Sequence, residues 1–134
     1  MRYQDSVRLV IALAFFAGGV ANAIMVLRAP EIYEGFADLS FLSFYQTLWQ
    51  RVVLPNLGLL MGLVVAFEFG LGVLLLAPDP YAHAGLILAA AFAVLLVPFW
   101  WGGGALINVL LFILLVWLLR FEYPASMLSL VFGR

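Results

Sequence analysis

The thirteen formal charges of this chain are spaced so unevenly that they divide it into long uncharged segments. Nineteen residues lie between Arg8 and Arg28, and 40 residues without any formal charge lie between Asp79 and Arg120. A third apolar segment between them carries a single charge. About 20 apolar residues in a helix cross a hydrocarbon core of roughly 30 Å. The spacing therefore predicts membrane-spanning helices.

The longest uncharged segment is long enough for two such helices, and it contains a point at which the chain can fold back. Pro98 is followed by two tryptophans and by the glycine triplet Gly102-Gly103-Gly104, residue types that interrupt helices and suit a membrane–water interface. We predict an all-α integral membrane protein, a four-helix transmembrane bundle in one domain, 1–134. The predicted spans are 7–27, 56–77, 81–99 and 104–120.

Composition excludes several other classes of protein. Hydrophobic residues make up 67% of the chain and charged residues 10%, whereas soluble domains carry about 25% charged residues. This excludes a soluble monomer. The absence of cysteine excludes a disulfide scaffold and a thiolate metal site, and no other metal site is predicted. The six basic residues form no run, so nucleic acid is not an expected partner.

Arginine positions predict the orientation, because basic residues are enriched on the cytoplasmic side. Two arginines flank the first loop, whereas four lie near the termini: Arg2, Arg8, Arg120 and Arg134. We therefore expect both termini on the cytoplasmic side of a bacterial or archaeal cytoplasmic membrane. Ala21-Asn22-Ala23 resembles a signal-peptide cleavage site. The apolar run continues beyond it, however, and we expect an uncleaved first span.

The first loop, 29–54, is too apolar for a solvated linker. Pro30, Glu31 and Glu34 are typical of a helix start. Apolar and aromatic residues then recur at helical spacing and predict an amphipathic helix at the membrane interface. They are Phe41, Tyr45, Leu48, Trp49 and Val52. This loop is either an interfacial anchor or a lid over a site that opens outward.

Small residues form ladders with a spacing of four on two predicted spans. The second span carries Gly58, Gly62, Ala66 and Gly70, and the third carries Gly85, Ala89 and Ala93. In lipid, helices associate through close backbone approach, which small residues permit. Such ladders serve either helix packing inside the bundle or contact with another subunit.

Glu68 is the only formal charge in the interior of a predicted span, because Arg8 and Arg120 lie at span ends. It lies roughly 140° around the helix from the glycine ladder, and the cost of a charge in lipid requires it to face protein or water. We expect a polar cluster of Glu68 with Asn22 and Asn108, which lie at similar depth. Arg8 either extends outward to the cytoplasm or points toward Glu68. Glu68 serves either proton, quinone or ligand chemistry, or hydrogen bonding between helices.

A group of these features resembles the DoxX/DoxD-like small membrane proteins. They are the four spans, the long first loop, Arg8 at the start of span 1, Gly18-Gly19 within it, and Glu68-Phe69-Gly70-Leu71-Gly72 in span 2. The family has adjacent glycines where this chain has Gly70-Leu71-Gly72. The resemblance implies a four-helix fold and a quinone-linked redox setting, with Arg8 and Glu68 as site residues. It transfers no catalytic mechanism.

Three functions follow as hypotheses. The first is a small subunit or partner of a quinone-linked redox or respiratory membrane system, with Glu68 and Arg8 as catalytic-site residues and Asn22 and Asn108 as cofactor-binding residues. The second is a non-catalytic accessory subunit of a larger respiratory or photosynthetic complex. The third is a small proton-coupled permease or a lipid-binding protein, with Glu68 as a protonation switch. We expect the lipid bilayer and other membrane subunits as partners and no enzymatic activity of the chain alone. No cofactor is evident apart from a quinone.

Overall fold

The computed structural model describes residues 1–133 and is all-helical, with no strand in that range. The longer helices are α1 (Tyr3–Arg28), α3 (Leu57–Leu76), α4 (Tyr81–Leu96) and α5 (Gly103–Leu118). Two short α-helices complete the set, α2 (Ser43–Leu48) and α6 (Met127–Phe132). A 3-10 helix spans Pro30–Leu39. The all-helical prediction is confirmed.

The four longer helices pack in sequence, with α1 against α3, α3 against α4, and α4 against α5. α1 and α3 run antiparallel, because Arg8 near the start of α1 bonds to Ala77 after the end of α3. The core is apolar and lies nearer the chain termini. Its buried members include Ile11, Ala12, Phe15, Leu71, Leu75, Leu86, Leu115 and Leu118.

Each range predicted as a span coincides with one longer helix, within a few residues. α1 begins at Tyr3, where the Asp5 carboxylate accepts a hydrogen bond of 3.2 Å from the backbone N–H of Arg2, the residue before the helix. α4 ends at Leu96, just before Pro98. The turn that follows uses Gly102 at φ +87°, a conformation that glycine adopts without strain. The single-domain division of 1–134 and the crossing of a membrane by these helices stay predictions.

Two helical stretches are long and apolar enough to cross a membrane: Tyr3–Arg28 and Ser43–Leu76. The second includes α2 and α3, because irregular helical turns over Trp49–Val53 and Leu54–Asn56 join them without a break. α4 and α5 are shorter apolar helices of 16 residues each.

The first loop forms a cap at the end of the molecule opposite the termini. We define the cap as residues 30–53. Its 3-10 helix begins at Pro30, as predicted, but the expected amphipathic helix is not separate, because it continues into α3. Aromatic rings of the cap pack on one another and on the α4–α5 turn. The ring pairs are Phe36–Trp49, Tyr45–Phe99, Trp49–Phe99 and Phe41–Trp101.

The C-terminal segment adds a helix that the sequence patterns did not predict. α6 is capped by Ser126, whose hydroxyl accepts a hydrogen bond from the backbone N–H of Ser129 at 3.2 Å. Met127 at its start is buried. Just before α6, Tyr123 is fully buried and donates from its hydroxyl to the carbonyl of Leu118 at 2.8 Å. These contacts hold the C-terminal segment against the end of α5, and Arg2 Nη2 joins it to the start of α1 by donating to the Glu122 carbonyl at 2.8 Å.

Candidate functional site

Glu68 lies in the interface between α3 and α1, with 8% of its surface exposed. Its Oε2 accepts a hydrogen bond of 2.9 Å from Nδ2 of Asn22. Two glycines of α1 allow the helices to approach here. A Cβ atom on Gly18 would lie 3.1 Å from Glu68 Oε1, and a Cβ atom on Gly19 would lie 3.1 Å from the Phe69 ring. The single charge of span 2 therefore faces protein, as its desolvation cost requires.

The cap closes over this pair through Tyr33. Tyr33 is fully buried, and its hydroxyl donates to Asn22 Oδ1 at 2.9 Å. Trp49 Nε1 donates to the Tyr33 carbonyl at 2.7 Å and so holds the two parts of the cap together. Burial, with the charge of Glu68 as a second cause, raises the pKa of the Tyr33 hydroxyl. Tyr33 is thereby held as a neutral donor.

Sequence reasoning did not single out Tyr33. Trp49 and Tyr45 were predicted as interface aromatics, and nothing in the local pattern separates Tyr33 from them. Its role depends on the 3-10 helix that begins at Pro30, because that helix turns the tyrosine back toward Asn22. The prediction of a helix start at Pro30 was the one available signal.

The arrangement favours positioning over proton transfer. The Tyr33 hydroxyl donates to the amide oxygen of Asn22, and the amide nitrogen of Asn22 donates to Glu68. An amide has a fixed acceptor oxygen and fixed N–H donors, so it does not hand a proton from one neighbour to the next. Glu68 Oε1 accepts no hydrogen bond from residues 1–133. It is therefore the carboxyl oxygen that has no hydrogen-bond partner in that range.

Arg8 does not join Glu68, and it does not extend to solvent. Its side chain is fully buried, Nη1 donates to the Ala77 carbonyl at 3.0 Å, and the guanidinium lies 4.1 Å from the centre of the Tyr123 ring. Fourteen residues of α1 separate Arg8 from Asn22, about 21 Å of helix rise. The two residues predicted as a catalytic pair thus lie in two separate polar centres.

The centre around Arg8 is built from chain segments that are distant in sequence. The Asp79 carboxylate bonds to His83 Nδ1 and accepts the backbone N–H of Tyr123 at 2.7 Å. Burial acts to raise the pKa of Asp79, but these hydrogen bonds outweigh burial and leave that pKa below its ordinary value. Burial also raises the pKa of Tyr123 to about 12, although Arg8 opposes that shift. This centre joins the α3–α4 turn to the C-terminal segment.

Asn108 is not part of the expected cluster with Asn22 and Glu68. Its Nδ2 donates to the carbonyl of Gly104 at 2.9 Å, one turn earlier in α5. The physical reason is packing: α5 lies against α4, and Asn108 satisfies itself on its own helix. Asn22 and Glu68 meet as predicted, and Tyr33 takes the third position.

The ladder on α3 faces outward, so the expectation that it packs inside the bundle does not hold. Gly58, Gly62, Ala66 and Gly70 are all exposed. A Cβ atom on any of the three glycines would meet nothing within 4 Å. The ladder lies on a different face from Glu68, as its angular position predicted, and the Glu68 face is the one that meets α1.

The ladder on α4, in contrast, faces the interior. Gly85, Ala89 and Ala93 are buried. A Cβ atom on Gly85 would lie 2.8 Å from Leu74 Cβ and 3.2 Å from the Leu75 backbone nitrogen. This ladder, and not the one on α3, makes the close contact between α3 and α4.

Within residues 1–133, no three histidine, aspartate or glutamate side chains lie together as a metal site would require. Three features that sequence analysis had already marked are left without a partner in that range: Glu68 Oε1, the Nε–Nη2 edge of Arg8, and the open ladder of α3. Comparison of the chain with protein-family models, with curated proteins and with solved structures finds no match.

Proposed function

We propose that this chain is an integral membrane protein whose helices α1, α3, α4 and α5 cross the bilayer. In this arrangement both termini are cytoplasmic and the cap lies at the outer surface. Support comes from apolar residues that remain exposed. In the most apolar windows of the two long helical stretches only 22% and 28% of residues are buried. A core helix of a soluble protein buries its apolar face, whereas lipid covers such a face in a membrane.

We further propose that the chain is a small subunit or partner of a larger membrane assembly and is not an enzyme on its own. The outward-facing ladder of α3 is the observation that carries this proposal. Gly58, Gly62, Ala66 and Gly70 leave a shallow groove along the helix, bordered by exposed Leu59 and Leu63. Lipid tails gain little from such a groove, whereas a second helix gains close van der Waals contact along it. The proposed occupant is a transmembrane helix of another subunit.

The resemblance to the DoxX/DoxD-like proteins suggests a quinone-linked redox or respiratory system as the setting. Glu68 supports that setting, because its Oε1 lies beside Gly18 and accepts no hydrogen bond from residues 1–133. A quinol hydroxyl could donate to this oxygen. The closure of the cap over Asn22 through Tyr33 favours an accessory role over a permease role for the same carboxyl.

A matched pair of substitutions tests the docking proposal. Ala66 and Ala91 are both exposed helical alanines, on the ladder of α3 and on a different helix, α4. We expect Ala66→Leu to fill the groove and reduce the recovery of the partner subunit in mild detergent at least about tenfold, equivalent to about 1.4 kcal/mol. Ala91→Leu should leave recovery unchanged. Recovery of wild-type chain as a stable monomer, with no partner, would contradict the proposal.

A further inference from the structure

Three charged residues lie on one face of α1 at its start, in the pattern Arg-x-x-Asp-x-x-Arg. They are Arg2, Asp5 and Arg8, and a spacing of three makes Asp5 a neighbour of both arginines. In the structure Asp5 pairs with Arg2 only. Arg2 Nε donates to Asp5 Oδ2 at 2.9 Å and Arg2 Nη2 donates to Oδ1 at 3.2 Å.

Arg8 is left incompletely satisfied. Its Nε and Nη2 atoms are buried and have no hydrogen-bond partner, and only Nη1 is engaged. Nε and Nη2 form the edge of the guanidinium that binds a carboxylate with two parallel bonds. A buried donor without a partner destabilises the folded chain, and more so where it is charged. Asp79 does not fill this edge, because its two oxygens are held by His83 and Tyr123.

A pocket lies beside the Arg2–Asp5 pair. It has a volume of about 350 Å³, and its walls are otherwise apolar. Its lining consists of Met1, Arg2, Asp5, Pro124, Ala125 and Leu130. The Arg2 side chain is 49% exposed there, whereas Asp5 is buried. An entering anion would therefore meet Arg2 first.

We propose that this pocket binds the phosphate group of an anionic phospholipid through Arg2, and that Asp5 then transfers from Arg2 to the free edge of Arg8. The row holds two cations and one anion, so a bound phosphate completes its charge balance. The exchange also supplies the missing partners of Arg8 Nε and Nη2. The apolar walls favour a lipid over a free ion, and the proposal depends on the membrane placement proposed above.

Besides Asp5, the exposed carboxylate of Glu122 acts on Arg2 and opposes the binding of an anion at this pocket. The backbone carbonyl of Glu122 accepts from Arg2 Nη2 at 2.8 Å. Replacing Glu122 by glutamine removes the like charge without removing that carbonyl. We therefore expect Glu122→Gln to increase lipid retention.

The experiment uses the full chain in phosphatidylcholine nanodiscs with and without phosphatidylglycerol. Native mass spectrometry measures retained phosphatidylglycerol, and the ¹⁵N resonance of Arg8 Nε reports its hydrogen bonding. We expect one retained lipid and a shifted Arg8 resonance in the wild type. Arg2→Gln should lower retention at least about tenfold. Arg120→Gln, which removes the same charge from an exposed site outside the pocket, should retain the lipid.

A separate variant tests whether the Asp5 carboxylate moves from Arg2 to Arg8. Asp5→Asn should keep the lipid but lose the shift of the Arg8 resonance, because the transferring carboxylate is gone. Equal retention in Arg2→Gln and Arg120→Gln, or an unshifted Arg8 resonance in lipid-bound wild type, would overturn the proposal. The same shift with inorganic phosphate alone would overturn the lipid as its source. Failure of the chain to enter nanodiscs would instead contradict the membrane proposal.

Discussion

Two ladders of small residues with the same spacing have opposite surroundings in this protein. On α4, Gly85 lies against the backbone of α3, and Ala89 is fully buried. On α3, Gly62 and Ala66 are open to the outside, and nothing lies within 4 Å of a Cβ position on Gly62. Small residues at a spacing of four thus allow close approach to a helix, but the spacing alone does not determine which helix packs there. The ladder on α4 already has its neighbour, whereas the ladder on α3 is free for one outside this chain.

Replacing an alanine of each ladder by leucine should give the largest difference in the free energy of unfolding. Ala89→Leu adds three carbon atoms to a fully buried position, and we expect it to lower the free energy of unfolding by about 3 kcal/mol. Ala66→Leu should change it by less than about 0.5 kcal/mol, because position 66 is exposed. Unfolding of both variants in mixed detergent micelles, followed by circular dichroism, checks the difference. Equal losses would show that the ladder on α3 is also packed within the chain.

Replacing a glycine of each ladder by alanine should change the free energy of unfolding by a smaller amount and in opposite directions. Gly85→Ala places a methyl group 2.8 Å from Leu74 Cβ and beside backbone atoms that do not easily move, so we expect a loss of about 1–3 kcal/mol. Gly62→Ala meets no atom, and alanine is the better helix former by about 1 kcal/mol. It should be neutral or stabilising in the same unfolding assay. A stabilising Gly85→Ala would contradict the close contact described for α4.

On the face of α3 that meets α1, we expect stability to depend on the hydrogen bond between Tyr33 of the cap and Asn22. Tyr33→Phe removes the hydroxyl that donates to Asn22 Oδ1, and the expected loss is about 1 kcal/mol. The matched change Tyr45→Phe should have a smaller effect, because Tyr45 packs through its ring on Phe99. Hydrogen exchange of residues 30–39 should increase in the first variant only. Equal rates of hydrogen exchange in both variants would contradict the proposal that the Tyr33 hydroxyl holds the cap against Asn22.

The smallest expected effect concerns pH and the turn that joins the two ladder helices. The pKa of Asp79 in the folded chain lies below its ordinary value of 3.8, so the unfolded chain binds this proton more readily. The stability that Asp79 contributes is therefore present above pH 3.8 and is lost as the pH falls through its lower folded-state pKa. Asp79→Asn should remove this part of the acid dependence. An unchanged pH profile in that variant would contradict the role of the carboxylate.

Much of the helical framework could be predicted, because the desolvation cost of charge determines where uncharged segments begin and end. The angular separation of Glu68 from the ladder was also predictable, since it depends only on helix geometry. The surroundings of Arg8 were not, because its partners Ala77 and Tyr123 are brought to it by packing. The partner of Asn108 was not predictable either, because its side chain can form a hydrogen bond within α5 or with a neighbouring helix. Which ladder is buried likewise depends on the order in which the helices pack.

We propose that the open ladder of α3 binds a helix of another subunit. The chain contains no cysteine, so single cysteines can be introduced as unique cross-linking sites. Ala66→Cys and Ala91→Cys are compared in native membranes treated with a short thiol-reactive photo-cross-linker, which inserts into C–H bonds and so needs no amine inside the bilayer. We expect a cross-linked product with another membrane protein for Ala66→Cys and none for Ala91→Cys. Equal products from both positions, no product from Ala66→Cys, or a product containing only a second copy of this chain would contradict it.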